Sequence, residues 1–407
     1  MTGVRWKKLR LPLAGTLTLG LLAAVGVTLL SSGDGSGQLA ANRAQLKKAC
    51  GGLLPYDELD DRIPDDARGT LHQYGTLLQP AQESRSLLNC SLEWGSRGAV
   101  HVEAATLVNH LPYGLKTEDL LSPGHEAPGV TGRASDDKGN LWIVAECPNG
   151  LAGRARSVSQ LYVSVSVDVS KASVRTEFRV AVRIADAVAQ QQHCGTTLKP
   201  PTRVIDTYEE HDANGGPVAE GDYDDIRVDE PGRGVAKCDW MSAKASAPAQ
   251  GTWTTVGDLQ QSRLLSVCGA DRQDDDEAAD LAPVALDAAS WSGELGRSAY
   301  RDYEQSGQYP GFDDRPDTLT GNDARLALWA RSECAAGTTY HRVSVRPKVG
   351  NPVDLEDGGT KMSAAERAEL SSSAKKLMTS YLNASGGWPS AQHCHATKLL
   401  GEVEEWS

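Results

Sequence analysis

Leu141-Trp-Ile-Val-Ala-Glu-Cys147 recurs as Leu328-Trp-Ala-Arg-Ser-Glu-Cys334. Further along the chain, Gln192-His193-Cys194-x-x-Thr197 recurs as Gln392-His393-Cys394-x-x-Thr397. Upstream, Cys90-Ser-Leu-Glu-Trp94 has a looser partner in Cys238-Asp-Trp240. Three landmarks in one order, built on the rare residues Trp and Cys, mark an internal duplication. Two copies make a tandem pair of modules, whereas a solenoid needs at least three.

The segments between the landmarks agree. Leu161–Val169 (LYVSVSVDV) alternates strictly, the period of a half-buried strand, and Tyr340–Arg346 (YHRVSVR) alternates less perfectly. A helix follows in each copy. Across 172–191, Phe178, Ala181, Val182, Ala185 and Val188 fall on one face. In the second copy Ser363 and Glu366 form a capping box, ahead of a stripe of Leu370, Ala374, Leu377, Met378, Tyr381 and Leu382. Each module reads as an antiparallel sheet with a helix on one face, so the fold class is α+β.

The N-terminus predicts a compartment. Residues 1–10 form a basic tail, and Leu11 to Leu30 run without a charge. That is the length a helix needs to cross a bilayer, about 20 residues. Flanking positive charge keeps the basic end inside. The expected layout is a cytoplasmic tail 1–10, a transmembrane signal anchor 11–31 and a flexible tether 32–42. Module 1 follows over 43–203, an acidic linker over 204–234 and module 2 over 235–407. Ser31-Ser32-Gly33 also fits a signal-peptidase site, which would release a secreted chain near Gly33.

In an oxidising compartment eight cysteines predict four disulfides. Duplication favours equivalent pairs, Cys147–Cys194 with Cys334–Cys394, which leaves Cys50–Cys90 and Cys238–Cys268 by elimination. The extra cysteine precedes the Cys…Trp landmark in copy one and follows it in copy two, so this second pairing breaks the symmetry.

The net charge of −13 repels phosphate backbones, which excludes nucleic acid as a partner of the ectodomain. Asp222–Asp225 and Asp274–Glu277 lack the turn glycine of a calcium loop and read as solvated acidic loops. His193-Cys194 and His393-Cys394-His395 lack a second ligand pair at zinc spacing and read as disulfides flanked by histidine. Ser372-x-x-Lys375 and Ser373-x-x-Lys376 sit in mid-helix without the companion motifs of penicillin-binding enzymes. No phosphate-binding loop, nucleophile elbow or zinc-protease helix occurs, and no cofactor or metal is expected. Trp94, Trp142, Trp240 and Trp329 read as strand residues of the core beside cysteines. Trp253, Trp291 and Trp388 are candidates for carbohydrate stacking.

The Ala-, Gly-, Arg- and Asp-rich, Lys- and Phe-poor composition resembles that of exported proteins of high-GC actinobacteria. This resemblance of style rests on no motif and implies no activity. The expected function is therefore a membrane-anchored binding or scaffolding module of a cell envelope. Its partner would be an envelope protein, a peptide or a wall polymer, with the membrane engaged through the N-terminal helix. The alternative is an envelope hydrolase with its site between the two modules.

Overall fold

The alternating segments pair into two antiparallel sheets in a computed structural model. It describes residues 35–80, 86–107, 111–112, 114–122, 124–135, 141–152, 158–169, 172–206, 211–212, 226–227, 236–242, 253–257, 262–272, 282–306, 318–319, 326–348, 360–361 and 363–400. The first sheet contains β1 (Thr70–Tyr74), β2 (Ser86–Glu93), β3 (Gly98–Thr106), β4 (Gly124–Glu126), β5 (Gly132–Ser135), β6 (Leu141–Glu146), β7 (Gln160–Val169) and β8 (Ile205–Asp206). Its order is β1-β2-β3-β7-β6-β5-β4-β8. A two-residue pair, β9 (His211–Asp212) with β10 (Ile226–Arg227), lies between the sheets in sequence.

The second sheet holds β11 (Trp253–Gly257), β12 (Leu265–Arg272), β13 (Pro283–Ser292), β15 (Leu326–Cys334), β16 (Gly337–Pro347) and β18 (His395–Leu400), in the order β11-β12-β13-β16-β15-β18. The short strands β14 (Thr318–Leu319) and β17 (Thr360–Lys361) pair with each other. The helices are α1 (Gly35–Leu46), α2 (Tyr56–Leu59), α3 (Thr117–Leu121), α4 (Val174–Gln191), α5 (Gly293–Ser306), α6 (Ala364–Asn383) and α7 (Trp388–Ala391).

Both long helices bury the stripes read from the sequence. Phe178, Ala181, Val182, Ala185 and Val188 of α4 enter the core of the first module. Leu370, Ala374, Leu377, Met378 and Tyr381 of α6 enter that of the second. The Ser363–Glu366 capping box is formed, satisfying amide groups at the start of α6.

The opposite sheet faces meet in a third core. Trp142, Val144 and Tyr162 from the first sheet pack with Leu265, Val267, Ala289, Trp291 and Trp329 from the second. The long helices α4 and α6 thus lie on the outer faces, and the inner faces meet with α3 and α5 packed between them. The repeated Trp142 and Trp329 are core residues of this shared face, where each module covers the apolar side of the other. Side chains alternate across a strand, so Leu141 and Ile143 turn the other way, into the α4 core.

Polar contacts reinforce the shared face. Gly293, at φ 66°, turns β13 into α5, and a Cβ there would meet Gln160 Nε2 at 2.9 Å. The next residue, Glu294, is buried and accepts hydrogen bonds from the backbone N–H of Ser159 (2.5 Å) and Gln160 (3.1 Å). Desolvation raises its carboxyl pKa, opposed by those two amides. Glu294→Ala leaves the buried Gln160 N–H and the half-buried Ser159 N–H without their acceptor, at about 1–3 kcal/mol each when fully buried. Chemical denaturation should show a loss of about 3 kcal/mol. A loss below about 0.5 kcal/mol would mean that water replaces the carboxylate.

Several expectations are changed. Residues 35–42, read as a tether, belong to α1, and Asn42 is buried there, donating to the carbonyls of Pro64 (2.8 Å) and Ala67 (2.7 Å). The acidic linker is not wholly irregular. Ile205–Asp206 adds to the first sheet as β8, and β9 and β10 pair within the linker. Trp94 follows the end of β2, and Trp240 lies in a 3-10 helix over Ala236–Ser242, so neither is a strand residue. The span Leu11–Leu30 and the acidic loops at 222–225 and 274–277 lie outside the described residues. Among the described residues no helix is long and apolar enough to cross a membrane.

Candidate functional site

Strand register aligns the two modules residue by residue. Cys90 faces Val102, which faces Val165, which faces Leu141. In the second sheet Cys268 faces Ala288, which faces Val343, which faces Leu328. Since Leu141 and Leu328 open the repeated motif, the counterpart of Cys90 is Cys268, not Cys238. The disulfides are Cys50–Cys90, Cys147–Cys194, Cys238–Cys268 and Cys334–Cys394. They occupy equivalent places in both modules, and the asymmetry expected between the first and third disappears.

The Gln-His-Cys repeat has a local backbone cause. His193 and His393 take left-handed φ values of 55° and 52° where the helical turn ends. The next amide folds back, Cys194 N to Ala189 O and Cys394 N to Pro389 O, each at 2.9 Å. Histidine is among the non-glycine residues that tolerate this region. These histidines therefore end the turn and aim the cysteine at its partner.

The next row across the sheets differs between the copies. In the first module Leu88, Ala104, Val163 and Ile143 face one another in turn, all buried and apolar. The same places in the second module hold Ser266, Ser290, His341 and Ala330. Ser290 and His341 are fully buried in the helix-side core. Ser290 Oγ lies 2.6 Å from His341 Nδ1 and 2.6 Å from the hydroxyl of Tyr381, on α6. The rings of Tyr381 and Trp388 meet His341 edge-on, with centroids 6.0 and 6.4 Å away.

His341 Nε2 is buried without a hydrogen-bond partner. Burial pushes the imidazole pKa down to about 4, so the ring is neutral at neutral pH. A nitrogen of this ring and the sulfurs of Cys334 and Cys394 lie within 4.8 Å of one another. A Ser–His contact at this distance resembles a hydrolase pair, but a fully buried Ser290 Oγ offers no path to a polymer substrate.

The other candidates fall elsewhere. Trp291 and Trp388 are buried, their indole N–H groups donating to Leu115 O (3.1 Å) and Ser262 O (2.7 Å), so neither offers a face to a sugar. Ser372, Lys375 and Lys376 lie on the exposed side of α6. Ser290, His341 and Tyr381 carry no motif because they come from two strands and a helix. The sequence signal for them is the imperfect alternation of Tyr340–Arg346, whose misplaced polar residue is His341.

The fold is thus a tandem α+β protein of two disulfide-stapled modules sharing an apolar face. No family model, curated protein or solved structure matches the chain.

Proposed function

We propose that the chain is a membrane-anchored extracytoplasmic protein that binds a component of the cell envelope without cleaving it. The observation that carries this reading is the cysteine inventory. All eight cysteines are paired and none is free, a pattern of oxidising compartments. The basic tail and the apolar run Leu11–Leu30 supply the route there. The packing favours binding at the edges: α4 and α6 cover one face of each sheet, and the other two faces are buried against each other together with α3 and α5. Strand β18 lies at a sheet edge, paired with β15 alone, and is exposed along most of its length. An exposed edge offers backbone donors and acceptors to an extended peptide.

Protease added to intact cells from which the wall has been removed should digest the chain beyond residue 34, and full protection would remove the exported reading. The purified protein should cosediment with wall polymer, or crosslink to one envelope protein, without releasing soluble fragments. Release of such fragments would favour a hydrolase.

A further inference from the structure

We propose that Cys334, Cys394 and His341 form a redox-gated site for a thiophilic d10 cation such as Zn²⁺, closed while the disulfide is intact and opened by its reduction. Four independent features converge on it. The sulfurs and an imidazole nitrogen already lie within 4.8 Å of one another, and thiolate with imidazole is the donor set that such cations select.

The second feature is the imidazole itself. Its Nδ1 is engaged by Ser290 Oγ. When Nδ1–H donates to that oxygen, Nε2 keeps a bare lone pair, and Nε2 is the nitrogen without a partner. Metal-binding histidines are held in this way, the second nitrogen donating to a fixed acceptor.

Third, this disulfide alone is partly solvent-exposed at both sulfur-bearing residues. The cysteines of the other three bridges are all buried. A thiolate must reach a sulfur to reduce a disulfide. Fourth, the sulfurs stay together without their bond. Glu333 pairs with His395 across β15 and β18, next to both cysteines, and Ser332 Oγ bonds Thr397 Oγ1 at 2.7 Å. On the other side, the backbone of Cys394 is tied to Pro389.

The first module is an internal control. There Val163 stands where His341 stands, and Cys147 and Cys194 are both fully buried. The duplicated fold thus forms in module 1 without the polar row.

The opening step balances as a thiol–disulfide exchange. A dithiol gives two electrons and two protons to Cys334–Cys394 and leaves as its own disulfide, and two cysteine thiols form. The divalent cation then displaces both thiol protons and accepts the lone pair of neutral His341. Three protein ligands leave one position for solvent.

The test uses the full-length protein in detergent, treated with graded dithiothreitol, desalted without oxygen and titrated with Co²⁺ as the spectroscopic probe. Alkylation mapping should find Cys334 and Cys394 reduced first, with the other six cysteines still bonded. The reduced protein should bind one Co²⁺ with a thiolate charge-transfer band and tetrahedral d–d bands, and the oxidised protein none. His341→Val restores the residue of the first module, so it should fold and be reduced alike, yet bind Co²⁺ at least tenfold more weakly. Earlier reduction of another bridge, no cobalt bound by the reduced chain, or equal binding by His341→Val would each overturn the proposal. If His341→Val is not folded by circular dichroism, His341→Gln replaces it, with the same outcomes.

Discussion

Trp291→Ala is expected to lower the stability of the protein by about 4 kcal/mol, the range for removing a buried tryptophan. The size of the effect follows from position. Trp291 is buried between the sheets, stacks on Trp329 with centroids 5.7 Å apart, and donates to the Leu115 carbonyl of the other module. Truncation removes one of the three tryptophans of the shared face and leaves that carbonyl without its donor. Each module keeps its own helix-side core and its own two disulfides. Calorimetry should therefore resolve one cooperative transition into two. Amide exchange should rise around Leu111, Leu115 and Thr117–Leu121, which pack against the second sheet. A single transition displaced by less than about 1 kcal/mol would show that Trp291 does not couple the modules.

How far the sequence could be read depended on whether information lay along the chain or across it. Helix stripes and strand alternation are local periodicities, so α4, α6, β7 and β16 were all visible. The even count of eight cysteines likewise announced bridges. Pairing across strands was not visible. Cys238-Asp-Trp240 resembled Cys90…Trp94 by residue type, and only the register of β12 against β13 shows that Cys268 takes the place of Cys90. The repeated Trp142 and Trp329 were legible as core residues but not as the face between modules. A strand buried on both sides has no polar face to tell which neighbour covers it. The tether failed for a similar reason. Its Gly and Ser content argues for a flexible chain, yet packing of Leu46 and the hydrogen bonds of Asn42 hold the end of that stretch in α1.

The polar row predicts an acid response in the disulfide-bonded protein. His341 has a folded-state pKa of about 4 against an ordinary 6.5. Above pH 6.5 the ring is neutral in both folded and unfolded chains, and the folded state carries no penalty from this group. As pH falls from 6.5 toward 4 the unfolded chain takes up a proton that the buried ring refuses. Stability is then lost, in total by about 3 kcal/mol, with no further loss from this residue below that window. Replacing the hydrogen-bonded trio by apolar residues, Ser290→Ala with His341→Val and Tyr381→Phe, removes those donors and acceptors together. Such a change is expected to be neutral or stabilising at pH 7, by up to about 2 kcal/mol, since it removes the mutually bonded side chains together. The first module already folds with Ala104 and Val163 in the corresponding places. Denaturant titrations across pH 4–7 should show the wild-type slope flattened in the triple variant. An unchanged slope would assign the acid response to another group. A loss of more than about 3 kcal/mol at pH 7 would mean that the row is required for folding. Neutral stability with a flattened slope would show that Ser290, His341 and Tyr381 set the acid response of module 2 without holding it together.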